Sequence, residues 1–266
     1  MKSAVRLQKA ETETDLKVDL QNGGSDMNNP GDVFRVQNYY PTFSRYSLPA
    51  SFVELQPDEI TALAEGKTDG PVVKGVIRRI SEAMRNFRGK RFISVDFCAP
   101  TDCPRYLSSK HGSVASAESG WYSLVTSPKI REMAASGLVE SICIRAFRTF
   151  DVPREFRLFV KDGKLAAMSQ RFLIRHFRRL EKRTEEYWKL AEKFVQSIES
   201  LLPAKDIVID IYITSRKKVI MLDLNPWGEP TDPLMMASWS RDLSTPLGCL
   251  IVPPPHTLSG DVNVSF

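Results

Sequence analysis

Two apolar runs late in the chain constrain the fold more than any other feature: Ile207-Val208-Ile209-Asp210-Ile211-Tyr212-Ile213 and Val219-Ile220-Met221-Leu222-Asp223-Leu224-Asn225. Each has the length of a strand, and each carries one aspartate in an otherwise apolar setting. Strand side chains alternate between faces. The first run therefore has an all-isoleucine face and a second face of Val208, Asp210 and Tyr212. In the other run Ile220, Leu222 and Leu224 share one face, and Met221, Asp223 and Asn225 share the other. A turn around Arg216-Lys217 pairs Ile213 with Ile220, Ile211 with Leu222 and Ile209 with Leu224, because coincidence of the apolar faces fixes register. That register sets Asp210 opposite Asp223, with Asn225 two residues further along the same face.

Directly opposed residues hold their Cβ atoms ~4.5–5.5 Å apart. Two carboxylates at that spacing repel, and burial makes the pair costly. A cation between them removes the cost. Hard oxygen ligands with one amide suit Mg²⁺, which also keeps waters and phosphate oxygens as ligands. The alternative is two solvated aspartates on an open face. The neighbours Tyr212, Met221 and Trp227 indicate a covered face instead. Pro226 lacks a backbone donor and holds Asn225 at a strand end.

A second hairpin precedes this one. Glu155-Phe156-Arg157-Leu158-Phe159-Val160 is followed by Asp162-Gly163, a two-residue turn signal. A simple turn pairs Val160 with Leu165, Leu158 with Ala167 and Arg157 with Met168, placing Arg157 away from the apolar layer. An arginine fixed there grips phosphate by its forked donors or pairs with Glu155 at the surface; the sequence leaves both open. Strict alternation puts Arg171 on the opposite face from Arg157, unless the strand bends near Ser169.

Elsewhere, Val73, Val76, Ile77, Ile80, Met84 and Phe87 recur at three- and four-residue spacing, which predicts an amphipathic helix over 73–87, ended by Gly89. Short helices are expected over 59–65 and 127–137, strands over 91–97 and 138–147, and one long helix over 175–202. Residues 104–120, rich in Ser and Gly, read as a loop. Residues 1–32 are polar and read as a disordered extension. Residues 33–140 read as an N-terminal lobe, 141–240 as a C-terminal lobe carrying the metal-binding hairpin, and 241–266 as an irregular tail.

The four cysteines form no C-x-x-C pair, which leaves no zinc or disulfide pattern. No apolar run spans a bilayer and no signal-peptide pattern opens the chain, so a cytoplasmic protein without membrane partners is expected. No phosphate loop of the Gly-x-x-x-x-Gly-Lys type is present. The net charge of +5 suits polyanionic ligands. Arg171, Arg175, Arg178, Arg179, Lys182 and Arg183 cluster with Phe172, Phe177 and Trp188 between them. That pattern can follow a nucleic-acid backbone, but a solvated helix face is the commoner reading, and no nucleic-acid partner is expected.

Taken together, Glu155 to Val160 with the Lys161-Asp162-Gly163-Lys164-Leu165 turn, Ser169-Gln170-Arg171, Asp210-Ile211-Tyr212, and Asp223-Leu224-Asn225-Pro226-Trp227-Gly228-Glu229 with Thr231-Asp232 resemble the cell division cycle protein 123 family. Tyr39-Tyr40-Pro41 and Ala99-Pro100-Thr101-Asp102 look similar too. The resemblance implies an α+β, ATP-grasp-like fold: two lobes with antiparallel sheets and flanking helices around a nucleotide cleft. It implies ATP and Mg²⁺ as ligands and assembly of translation initiation factor 2 through its gamma subunit, a chaperone-like role. By motif, Asp210, Asp223 and Asn225 match the metal ligands, Arg157 matches a phosphate-side arginine, and Arg171 lies in the matching Ser-Gln-Arg run. Arg145 and Phe147 fall on the strand expected to border the nucleotide, and Phe97, Ala99 and Asp102 in the segment that meets it from the other lobe. Two positions depart from the pattern: Ser94 stands where the family carries a lysine, with Lys90 and Arg91 only nearby, and Phe172 stands where an acidic residue is usual. The ATP-grasp resemblance also admits a carboxylate–amine ligase acting through an acyl phosphate.

Overall fold

The structure, a computed structural model, describes residues 31–108 and 111–255. The expected disordered extension therefore lies almost wholly outside the described residues. Its last two positions, Gly31 and Asp32, lead into a 3-10 turn over Asp32–Phe34.

In chain order the elements are helix α1 (Val36–Phe43), strand β1 (Ala50–Glu54), helices α2 (Pro57–Ala64) and α3 (Pro71–Met84), strand β2 (Arg91–Val95), helices α4 (Pro104–Leu107), α5 (Ala117–Val125) and α6 (Pro128–Ala135), and strand β3 (Ser141–Ala146). Strands β4 (Glu155–Lys161) and β5 (Lys164–Gln170) follow, then helices α7 (Arg178–Glu181) and α8 (Thr184–Ile198), and strands β6 (Ile207–Ile213), β7 (Val219–Pro226) and β8 (Gly248–Leu250). The strands form an antiparallel sheet ordered β1-β3-β2 and a mixed sheet ordered β7-β6-β4-β5-β8. This is the α+β, two-lobed class expected from the sequence. Among the described residues no helix is long and apolar enough to cross a membrane.

Each sheet buries one face by alternation. Ile142 and Ile144 of β3 pack with Val73, Val76 and Ile80 of α3 in the first core, while Cys143 between them joins the second. Ser141–Ala146, which the sequence grouped with the later hairpins, is thus the middle strand of the first sheet. In the second sheet Ile207, Ile209, Ile211 and Ile213 are all fully buried beneath Ala191, Val195 and Ile198 of α8. Each contributes about 1.5–3 kcal/mol of burial.

Both hairpins depart from simple register, each by one bulged residue. Asp162 and Gly163 take positive φ of 50° and 76°, as an Asp-Gly hairpin turn requires. Val160 pairs with Leu165 as expected, but Ala166 is then skipped, so Phe159 pairs with Ala167, Leu158 with Met168 and Arg157 with Ser169. The Ala166 carbonyl accepts the Leu247 N–H at 2.8 Å, at the entry to β8. In the other hairpin Ile209 pairs with Leu224 and Asp210 with Asp223 as expected, but Leu222 is skipped and Ile211 pairs with Met221. Met221 is therefore fully buried among the isoleucines, while Leu222 faces away from that core.

Other expectations change as well. The helix expected over 175–202 breaks at Lys182-Arg183 into α7 and α8. The expected loop over 104–120 contains α4 and the start of α5, whose N-terminus is capped by reciprocal Ser116 and Ser119 hydrogen bonds. Gly120 lets α5 close on β2: a Cβ there would lie 3.1 Å from Ile93 Cδ1. The tail carries β8, which pairs in parallel with β5.

Helix α1 ties the lobes together. Arg35, just before it, is 5% exposed. Its guanidinium donates to Asp32 at 2.8 Å and to the Leu138 carbonyl at 2.9 Å, and lies 3.3 Å from the Asp96 carboxylate. Val36, Tyr39 and Phe43 enter the core of the second lobe. Because Asp96 is fully buried at its side chain, Arg35→Ala leaves its carboxylate with only the neutral donors of Glu140 and Ser141 and is expected to destabilise the protein by about 3 kcal/mol in urea denaturation.

Candidate functional site

The site lies on the face of the second sheet opposite the isoleucines and opens toward the first. Alternation delivers its residues: Asp210 stands between Ile209 and Ile211, Asp223 and Asn225 flank Leu224, and Arg157 sits between Phe156 and Leu158. The Ala166 bulge adds one more. By setting Arg157 opposite Ser169, it returns Arg171, two residues on, to the face of Arg157. Both arginines reach Asp210. Arg157 forks onto it, with Nε at 2.7 Å from Oδ1 and Nη2 at 2.8 Å from Oδ2, and Arg171 Nε lies 3.7 Å from Oδ2. The third Arg157 donor reaches the Asp232 carbonyl at 2.7 Å, which holds the loop after β7.

Asp223 is held differently. Its Oδ1 accepts from the Tyr39 hydroxyl at 2.9 Å and from the Leu224 N–H at 3.0 Å. Burial, and then the charge of Asp210, push its carboxyl up to about 6, against the pull of Arg145 and of these hydrogen bonds. Tyr39 is itself raised well above the usual phenol range, by burial first and by Asp223 second. Arg145 arrives from β3 of the first lobe. Its Nη1 donates to the carbonyl of the bulged Leu222 at 2.8 Å.

Two buried donors in this region have no hydrogen-bond partner among the described residues: Arg145 Nε and Asn225 Nδ2. Unsatisfied buried donors are costly. Arg145 comes from β3 of the first sheet and Asn225 from β7 of the second.

Beside Asp223 a cavity of about 420 Å³ runs between the lobes. Phe97, Ala99, Arg145, Phe147 and Asp223 line it. Ser94 lines it too, where the resemblance expects a lysine. Arg91 does not replace that cation, because its guanidinium closes the end of α3 on the carbonyls of Met84 and Phe87. Lys129 Nζ reaches Thr101 Oγ1 on the cavity wall at 2.6 Å. Asp210, Arg157, Arg171 and Asn225 are not part of its wall. Asp102 is engaged elsewhere: the Ser127 hydroxyl and the Lys129 N–H donate to it at the start of α6. Burial pushes its carboxyl up, but those hydrogen bonds outweigh this and hold it below the usual range.

Sequence reasoning missed several residues of the site. Tyr39 entered only as part of the resembling Tyr39-Tyr40-Pro41 stretch, with no site role assigned, yet its hydroxyl binds the aspartate. Glu155 lines the cavity, its carboxyl raised by burial and by Asp210 against the pull of Arg171. Tyr106 and Phe150 line it from segments with no strand pattern.

Among the described residues no three His, Cys, Asp or Glu side chains gather as a metal group. The donors here are two carboxylates and an amide. They fit a hard cation: all three supply oxygen, the crowded charge of Asp210 and Asp223 is what a cation offsets, and the Asn225 amide has donor capacity to spare for an anion bound beside that cation.

A family model described as D123 matches residues 56–245. Cell division cycle protein 123 from Candida glabrata is 37% identical over 102 residues, 38% of this chain and 28% of the relative. A translation initiation factor eIF2 assembly protein from Xenopus laevis is 40% identical over 88 residues, 33% of this chain and 26% of the relative. These matches span little more than a quarter of each curated relative's length. Cdc123 from Schizosaccharomyces pombe has the same fold, with a TM-score of 0.73 at 18% identity, covering 86% of this chain and 98% of that one. A C-terminally truncated form of it gives 0.72 at 19% identity, over 83% and 95% of the two chains.

The raised Asp223 carboxyl fixes a sign. The folded state binds this proton up to about pH 6, whereas the unfolded chain releases it near 3.8. Stability therefore falls as pH rises through that window, and the penalty is complete above it. Asn in place of Asp keeps an oxygen for both hydrogen bonds. Asp223→Asn is expected to stabilise the ligand-free protein by about 1–3 kcal/mol at pH 7.5, a gain that shrinks toward zero by pH 4, read by chemical denaturation across pH.

Proposed function

This chain belongs to the D123 family, and from that premise we propose that it is an ATP- and Mg²⁺-binding, ATP-grasp-like assembly factor for a client of the translation initiation factor 2 type, engaged through the gamma subunit in the cytoplasm. The observation that carries the nucleotide reading is the pair of unpartnered buried donors, Arg145 Nε and Asn225 Nδ2, beside the crowded carboxylates Asp210 and Asp223. A polyphosphate with its cation answers both needs at once: oxygens for the donors and positive charge for the carboxylates.

Each residue then has a role. Phe97, Ala99 and Phe147 give the apolar wall against which a base packs. Arg145, Arg157 and Arg171 supply cationic donors for phosphate oxygens. Asp210, Asp223 and Asn225 would hold Mg²⁺, which when bound neutralises phosphate charge. The fork of Arg157 on Asp210 fixes the orientation of that carboxylate for the cation. The Tyr39 hydroxyl orients one oxygen of Asp223.

The reading is tested by calorimetry with ATP and Mg²⁺. Wild type is expected to bind ATP only weakly without Mg²⁺, and Asp223→Ala to lose at least tenfold in Mg²⁺-dependent affinity, about 1.4 kcal/mol, while its circular dichroism stays native. A folded variant that binds Mg²⁺-ATP as wild type does removes the site assignment. ATP consumption with an amide product, in the absence of any protein client, would replace the assembly reading with a ligase.

A further inference from the structure

The basic cluster after β5 is not used by the nucleotide site, apart from Arg171. Residues 171–183 hold six cations (Arg171, Arg175, Arg178, Arg179, Lys182, Arg183) and one carboxylate, Glu181, so their formal charge equals the +5 of the whole chain. All six cations are exposed. Arg179 pairs with Asp151, and Arg171 approaches Asp210. Arg175, Arg178 and Lys182 have no carboxylate within ion-pair distance among the described residues.

The same segment exposes apolar surface. Ile174 is 83% exposed and Leu173 37%. The loop is not loosely held: the Gln170 amide donates to the Arg175 carbonyl at 3.0 Å and to that of Phe172, bracketing the two apolar side chains. Isoleucine presented to water on a fixed loop, in a segment rich in exposed cations, with Arg175 beside it over the Phe177 ring at 4.8 Å, is a recognition feature rather than a packing one.

We infer that the Arg171–Phe177 loop and α7 form a docking surface for an acidic protein segment that carries an apolar anchor for Ile174. Charge complementarity selects an acidic partner. Two observations select protein over RNA. The aromatics that would stack bases face inward, since Phe177 is buried in the core and Phe172 packs against it. What remains outward is aliphatic and offers no π-face for a base. Arg171, 3.7 Å from Asp210, joins this surface to the nucleotide site. The inference rests on the assembly-factor reading only in taking the partner to be a protein.

The test selects a displayed library of random twelve-residue peptides on the full chain, then measures enriched peptides by fluorescence anisotropy. Enrichment of Asp and Glu beside Leu, Ile or Phe is expected, with at least tenfold weaker binding to Ile174→Asp and to the Arg175→Glu/Arg178→Glu double variant. Poly(U) is the competing probe. Neutral or basic winners, no enrichment, equal binding by the variants, or poly(U) binding tighter than the peptides overturns the inference. Each variant is also titrated with ATP and Mg²⁺. Unchanged nucleotide affinity beside unchanged peptide affinity rejects the docking surface and leaves the nucleotide reading standing.

Discussion

Two carboxylates facing each other across β6 and β7 set the condition to which the surrounding residues answer. Asp210 receives the fork of Arg157 and the approach of Arg171; Asp223 receives Tyr39, a backbone N–H and the field of Arg145. The division is unequal. Asp210 is matched directly by charge, whereas burial and the charge of Asp210 push the Asp223 carboxyl up to about 6, more than Arg145, Tyr39 and the Leu224 N–H pull it down. At neutral pH the site carries a carboxylate under strain from its neighbour, and a site in that condition gains more from a cation than a solvated pair does.

The two bulges turn ordinary hairpins into this arrangement. Without the skip at Ala166, alternation would put Arg171 on the far face of the sheet. Without the skip at Leu222, that residue would take the place of Met221 opposite Ile211 in the core. Instead Met221 takes the core position and the Leu222 carbonyl accepts Arg145 from the other lobe. Bulges of this kind re-aim side chains beside functional sites.

Much of this was legible. The isoleucine face, the Asp210–Asp223 opposition and the position of Arg157 follow from a period of two and a buried face. The bulges were not legible, because an alanine and a leucine satisfy either register locally; contacts distant in sequence, from Leu247 and Arg145, decide between them. The break between α7 and α8 was hidden in the same way, since Lys182 and Arg183 are acceptable helix residues. Tyr39 was invisible as a site residue for a simpler reason. A tyrosine in an aromatic stretch packs its ring in the core, as this one does, and nothing local shows where the hydroxyl ends.

That hydroxyl shows how the lobes and the site depend on each other. Tyr39 belongs to α1, which Arg35 fastens to Asp96 on the first lobe and whose apolar side chains enter the core of the second. Arg145 likewise comes from the first sheet and reaches β7. The groups that hold Asp223 therefore also hold one lobe against the other. Under the proposed reading, a ligand that satisfied Arg145 and Asn225 together would span the same junction and stabilise the folded protein by mass action. The contacts that position Asp223 are therefore the same contacts that join the two sheets.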